Sequence, residues 1–212
     1  MRDWCNGSTR VFQTFSEGSI PLSRSNQMIK IAPFTNAVFV EELDYVLTSI
    51  ESAIIDLKNR IPGETYSNRG GWQSKSYTRY EKPFMTGLID SVTTKVQEVY
   101  NDLGITKEPT LGNYWFNVNE KYHYNTAHNH PGSYISAVLY VKAPKDCGDL
   151  VIERPDSFVD WIHEYENNEN NVTKIKQIPR EKLLIIFPAY MRHYVEANMS
   201  DDVRISIAFN FK

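Results

Sequence analysis

The chain has only two cysteines in 212 residues, Cys5 and Cys147, and they are far apart. That excludes a disulfide-built scaffold and a Cys-x-x-Cys metal site, and it points to free thiols in a reducing compartment. Long apolar runs are also missing. The longest, Leu183 to Phe187, falls far short of the roughly 20 residues a membrane helix needs. No apolar stretch follows Met1, so no secretory signal is read and a cytoplasmic protein is expected. Basic charge is not in excess: Lys and Arg total 23 against 26 Asp and Glu, for a net charge of -3. Bulk attraction to nucleic acid or anionic lipid is therefore not expected. A hydrophobic content of 41% with 23% charged residues fits a globular chain with room for one well-buried domain.

Residues 1–27 stand apart. They are rich in Ser, Gly, Arg and Asn and carry no apolar period. Two readings are open. One is a disordered tail. The other is a gene-model artefact, because Gly18-Ser19-Ile20-Pro21 can be encoded by GGTTCGATTCC, which resembles the T-arm of a transfer RNA gene; the natural start is then Met28. The folded domain is expected over 28–212.

From Glu41 a helical period is read, with Leu43, Val46, Leu47, Ile50, Ile54 and Leu57 on one stripe until Pro62-Gly63. A second helix follows Pro83, carrying Met85, Leu88, Ile89, Val92, Val96, Val99 and Leu103, and stops at Gly104. After Pro109 short β-rich runs take over: 114–118, 135–141, 150–153, 183–187 and 203–211. Two amphipathic helices followed by several short strands predict an α+β protein: a β-sandwich or jelly roll with both helices buttressing one sheet. Oligomeric state is not readable.

Of the five histidines, His123 and His163 have no partner at metal spacing and read as structural. His128 and His130 are one residue apart, a spacing that points both rings the same way from an extended strand. His193, following the apolar run and Phe187-Pro188, sits at a strand mouth and closes a three-imidazole metal face suited to Zn, Fe, Cu or Ni. On the last strand Arg204, Ser206, Ala208 and Asn210 share one face. Arg204 and Ser206 together make a guanidinium fork plus a hydroxyl, a clamp for a carboxylate. Tyr114, Trp115 and Phe116 read as core, and Trp72 as a loop anchor rather than a substrate lid.

Several segments as a set resemble a known family: Ser67-Asn68-x-Gly70-Gly71-Trp72-Gln73-Ser74, Asn125 through Ser133, Leu139-Tyr140-Val141, Phe187-Pro188, His193, and Arg204 through Asn210. The chain resembles the iron(II)- and 2-oxoglutarate-dependent oxygenases, in a bacterial and phage branch related to prolyl-4-hydroxylase-like proteins. The resemblance implies a double-stranded β-helix (cupin-like) core over 28–212. It implies Fe(II) held by His128, His130 and His193, and 2-oxoglutarate bound by Arg204 and Ser206. It further implies that Tyr140 donates to the same carboxylate and that Asn117 reaches the metal-proximal one. The implied reaction oxidises 2-oxoglutarate to succinate and carbon dioxide while hydroxylating a peptide or small-molecule substrate. One departure stands out: His130 occupies the place where the superfamily usually offers Asp or Glu. That departure keeps two alternatives open, a cupin-type metal enzyme that does not use 2-oxoglutarate and a non-catalytic jelly-roll binding module.

Overall fold

A computed structural model describes residues 37–155 and 172–212. Residues 1–27, Cys5, Met28 and His163 lie outside this description. The elements run β1 (Phe39–Glu42), α1 (Thr48–Arg60), β2 (Asn68–Arg69), β3 (Trp72–Gln73), a 3₁₀ turn (Pro83–Met85), α2 (Thr86–Asp102), β4 (Leu111–Asn119), β5 (Tyr124–His128), β6 (Ile135–Lys142), β7 (Leu150–Glu153), β8 (Lys174–Gln177), β9 (Leu183–Pro188), β10 (His193–Val195) and β11 (Arg204–Phe211). Among these, no helix is long and apolar enough to cross a membrane.

The strands form two antiparallel sheets. One has six strands in the order β1-β9-β6-β11-β4-β3, the other five in the order β2-β5-β10-β7-β8. Strand β11 lies between β4 and β6, so every one of its eight residues is buried. The apolar set Ile205, Ile207, Phe209 and Phe211 faces a cluster that also holds Ile50, Ile54 and Leu57 of α1 and Leu88, Ile89, Val92, Val96 and Val99 of α2. The alternate set, Arg204, Ser206, Ala208 and Asn210, faces the other way, as strand alternation requires.

Helix α1 begins at Thr48, not near Glu41. Glu41 and Glu42 belong instead to β1, which pairs with the edge of β9 through Phe39↔Ile186 and Glu42↔Leu183. Leu43 and Val46 share the helical spacing by coincidence: Leu43 is buried, whereas Val46 is 74% exposed. The ladder offered by β9 outweighs a periodicity that continues into the helix proper. At the end of α2, Gly104 takes a left-handed φ of +70°, which terminates the helix without a Cβ clash.

The polar segment after α1 has a specific structural job. β2 pairs with β5 in one sheet and β3 with β4 in the other, so the segment crosses between the sheets at one end. Asn68 holds the crossing: its side-chain oxygen accepts from Tyr66 N–H, and its amide donates to the carbonyls of Glu64 and Gly71. The Trp72 indole donates to Ile61 O at 3.0 Å and packs on the core, which makes it an anchor. Ser74 Oγ accepts the N–H of Phe116.

Candidate metal centre and anion pocket

Cross-strand pairing brings the histidines together. His193 is opposite His128 in the β10–β5 ladder. β5 ends at His128, so His130 is not on the same strand. It reaches the cluster from the following turn, where its N–H donates to Ala189 O at 3.0 Å. One candidate nitrogen from each of the three rings lies within 4.8 Å of the other two. The geometry comes from a backbone tie to β9's end rather than from strand alternation.

Ring orientation is set by backbone carbonyls. His128 Nδ1 donates to Thr126 O at 2.7 Å, and His193 Nδ1 donates to Met191 O at 3.0 Å. A carbonyl only accepts, so both rings carry their proton on Nδ1 and leave Nε2 bare, the tautomer a metal needs. His130 Nε2 approaches His193 Nε2 at 3.3 Å. Two ligands about 2.1 Å from one metal, at tetrahedral or right angles, lie about 3.0–3.4 Å apart, so this donor set fits a divalent metal. His130 also packs against Trp115, with ring centroids 5.4 Å apart, and His193 against Phe187 at 4.8 Å.

Burial holds all three imidazoles neutral. It lowers His128, takes His130 to about 4 and His193 to about 3, with the neighbouring rings adding to the shift of the last two. The unfolded chain protonates these histidines below about pH 6.5, while folded His130 and His193 stay neutral until pH falls to about 4 and 3. The unfolded state binds more protons throughout that window, so stability of the metal-free protein falls as pH drops through it. Metal binding at pH 6 is accordingly expected to release almost no protons from these two residues. Calorimetry in buffers of different ionisation enthalpy checks this; release of about one proton per histidine would contradict it.

A cavity of about 40 Å³ lies between the two sheets. Its walls include His128, His130 and His193, together with Arg204, Ser206, Tyr140 and Asn117. Register explains the grouping: Ser206 is opposite Asn117 on β4 and Tyr140 on β6, so all three lie on one rung of the inner face. Ser67, Asn119, Asn125, Ser136 and Trp115 also line it. These were not singled out from sequence as site residues, although Ser67 and Asn125 stand within segments that carry the family resemblance. Trp115 departs from the reading of Tyr114-Trp115-Phe116 as core, because Tyr114 and Phe116 are fully buried in the apolar cluster while Trp115 points to the cavity. His123 is structural as expected: its Nδ1 accepts the N–H of Glu120.

Arg204 is 1% exposed. Nη1 donates to the carbonyls of Cys147, Gly148 and Glu196. No carboxylate is among these partners, and Nη2 is buried with no partner. Gly148 makes this seat possible. Its φ is +85°, and a Cβ there would press on the carbonyls of Glu196 and Ala197. Tyr140 Oη and Asn117 Oδ1 are likewise buried and unpartnered. Burial raises the Tyr140 hydroxyl's pKa against the opposing pull of Arg204, so it stays a neutral donor. Six buried side-chain polar atoms lack a partner among the described residues; three of them line this one cavity. Buried polar groups are rarely left unsatisfied, and this concentration gives the cavity free donors and an acceptor for a polar ligand.

Residues 113–210 match the family model described as "Putative 2OG-Fe(II) oxygenase". No curated protein matches the sequence. Among solved structures, the chain is similar to an oxidoreductase of the 2OG-Fe(II) oxygenase family from Burkholderia pseudomallei (14% identity, 82% of this chain and 84% of that one, TM-score 0.58). It is similar to a Pseudomonas putida prolyl-4-hydroxylase (14%, 84% and 93%, 0.58). It is also similar to HygX from Streptomyces hygroscopicus with nickel and 2-oxoglutarate bound (14%, 84% and 83%, 0.56). At these identities the likeness establishes the double-stranded β-helix fold.

Proposed function

We propose that the chain, whose residues 113–210 match the 2OG-Fe(II) oxygenase family model, is an iron(II)- and 2-oxoglutarate-dependent dioxygenase hydroxylating a peptide or small molecule. Fe(II) and 2-oxoglutarate are its cofactor and cosubstrate. The two helices back the six-stranded sheet that carries the cosubstrate pocket, and the domain spans 28–212. The observation that carries the assignment of roles is the fully buried, partly unpartnered Arg204, on one wall of the cavity that the three clustered imidazoles also line.

His128, His130 and His193 hold the iron, with Thr126 O and Met191 O keeping two of the rings in the ligating tautomer. When bound, the iron supplies the redox activation of oxygen that drives decarboxylation of the cosubstrate and oxidation of the substrate. Arg204 Nη2 and the Ser206 hydroxyl grip the distal carboxylate, and the Tyr140 hydroxyl donates to the same group. Asn117, one rung partner of Ser206, faces the metal-proximal carboxylate. Trp115 and Phe187 crowd His130 and His193 and keep water from the reacting face.

The test is anaerobic binding of Fe(II) and then 2-oxoglutarate, followed by succinate release on admitting air. Binding of both with succinate formation is the expected result. Iron binding without 2-oxoglutarate binding would replace this reading with a cupin-type metal enzyme. Binding of neither would leave a jelly-roll binding module.

A further inference from the structure

We propose that Asn68 is a positioning residue for the metal face: it fixes the crossing segment that, through Ser67 and Thr126, sets the angle of the His128 ring. This rests on the metal reading above and gives segment 67–74 a part in it.

The link is a short chain of hydrogen bonds. His128 Nδ1 donates to Thr126 O at 2.7 Å. Thr126 is in turn held from the crossing: its N–H donates to Ser67 O at 2.8 Å, and its hydroxyl donates to the same oxygen at 3.2 Å. Its neighbour Asn125 donates to Ser67 Oγ at 3.1 Å. Ser67 therefore grips β5 at two successive residues just ahead of His128. Behind Ser67 is Asn68, 3% exposed. Its amide donates to Glu64 O at 3.0 Å and to Gly71 O at 2.7 Å, and its oxygen accepts Tyr66 N–H at 2.8 Å. Those three bonds close the backbone on both sides of Ser67 into one turn. The turn is pressed onto the connection between β4 and β5: a Cβ at Gly70 would strike the His123 ring, and a side chain at Gly71 would strike the Asn119 amide.

The strand that carries His128 needs this support. Its neighbour on one side, β2, is an edge strand of two residues. So short an edge has little ladder of its own and opens readily. The Asn68 bonds supply what the ladder lacks, and an imidazole held in the ligating direction binds metal better than one free to tilt. Asn198 offers the comparison. It is 0% exposed and also ties a turn, donating to Asn119 O and Asp202 O and accepting Ser200 N–H. None of those partners is Thr126 or Met191, whose carbonyls orient the rings.

The test titrates Co(II) into the full natural chain, Asn68→Ala and Asn198→Ala, read by calorimetry and the visible cobalt spectrum. Asn68→Ala is expected to lower cobalt affinity about tenfold, the low end for groups behind a ligand, and to shift the cobalt bands. Asn198→Ala is expected to lower the unfolding temperature while keeping the natural affinity and bands. Unchanged affinity or bands in Asn68→Ala, or the same loss in Asn198→Ala, overturns the assignment. If either variant does not fold, amide exchange of the natural chain with and without Zn(II) decides. Coupling between sites is reciprocal, so a metal that fixes the ring also fixes the crossing. The Tyr66 and Thr126 amides, which donate to Asn68 Oδ1 and Ser67 O, are expected to exchange about tenfold more slowly with zinc bound. The Ser200 amide, which donates to Asn198 Oδ1, is expected to keep its rate. Equal slowing at all three, or none at Tyr66, overturns the assignment too. Failure of the natural chain to bind cobalt would defeat the metal reading itself, whereas cobalt binding that Asn68→Ala leaves untouched defeats only this inference.

Discussion

Replacing Arg204 with leucine is expected to weaken 2-oxoglutarate binding by at least about ten- to hundredfold and to destabilise the fold at the same time. Among the described residues the guanidinium is the one formally charged group on the cavity wall, and Nη2 is free to meet a carboxylate. A charge-assisted contact of this kind contributes about 1.5–3 kcal/mol, roughly a ten- to hundredfold change in dissociation constant, and more when it is bidentate. The same substitution strands one buried carbonyl, that of Cys147, and two half-buried ones, those of Gly148 and Glu196, each costing up to about 1–3 kcal/mol where water does not reach it. Calorimetric titration with 2-oxoglutarate reads the first effect and thermal unfolding the second. Gly148→Ala separates them: it leaves the guanidinium in place but crowds its seat, so it should lower stability with a smaller loss of affinity. An Arg204→Leu protein that binds 2-oxoglutarate as tightly as the natural chain would remove Arg204 from the cosubstrate site.

His193→Ala is expected to lower affinity for Fe(II) or Co(II) by at least about tenfold, because removing a ligand costs no less than removing the partner that orients one. The fold should survive. His193 contributes its backbone to the short ladder with β5 and β7, and alanine keeps those bonds. Part of the packing on Phe187 is lost, for a cost of about 1–2 kcal/mol. Below about pH 6.5 that loss is partly offset, because the buried ring of the metal-free protein resists a protonation that the unfolded chain accepts. Metal titration followed by cobalt absorption, with circular dichroism as the control for folding, measures both. Unchanged metal affinity would take His193 out of the ligand set.

Much of the site was legible because its residues sit on strong local patterns. The alternation of Arg204, Ser206, Ala208 and Asn210 against Ile205, Ile207 and Phe209 is a period of two that only a strand satisfies, and β11 realises it with both faces buried. The apolar stripes of α1 and α2 are likewise realised, with Ile50, Ile54, Leu57 and Val92, Val96, Val99 buried as spaced. The short strands β1, β2, β3, β8 and β10 were not legible. Two to four residues carry too little periodicity to register, and what makes them strands is a partner elsewhere in the chain.

The amino-acid order by itself determined the donor chemistry: three imidazoles, one guanidinium and a hydroxyl placed on or beside β-rich segments. It determined as well that the candidate ligands are all neutral, because His130 is a residue identity and needs no fold to be read. Tertiary structure decided how those groups meet. His130 stands beyond the end of β5 and joins the cluster through Ala189 O, a contact between positions 59 residues apart. Arg204 is seated by carbonyls from two other loops, Cys147-Gly148 and Glu196. Backbone hydrogen bonds of this kind are indifferent to side-chain identity, so no residue pattern announces them. They exist only once the two sheets have closed on each other.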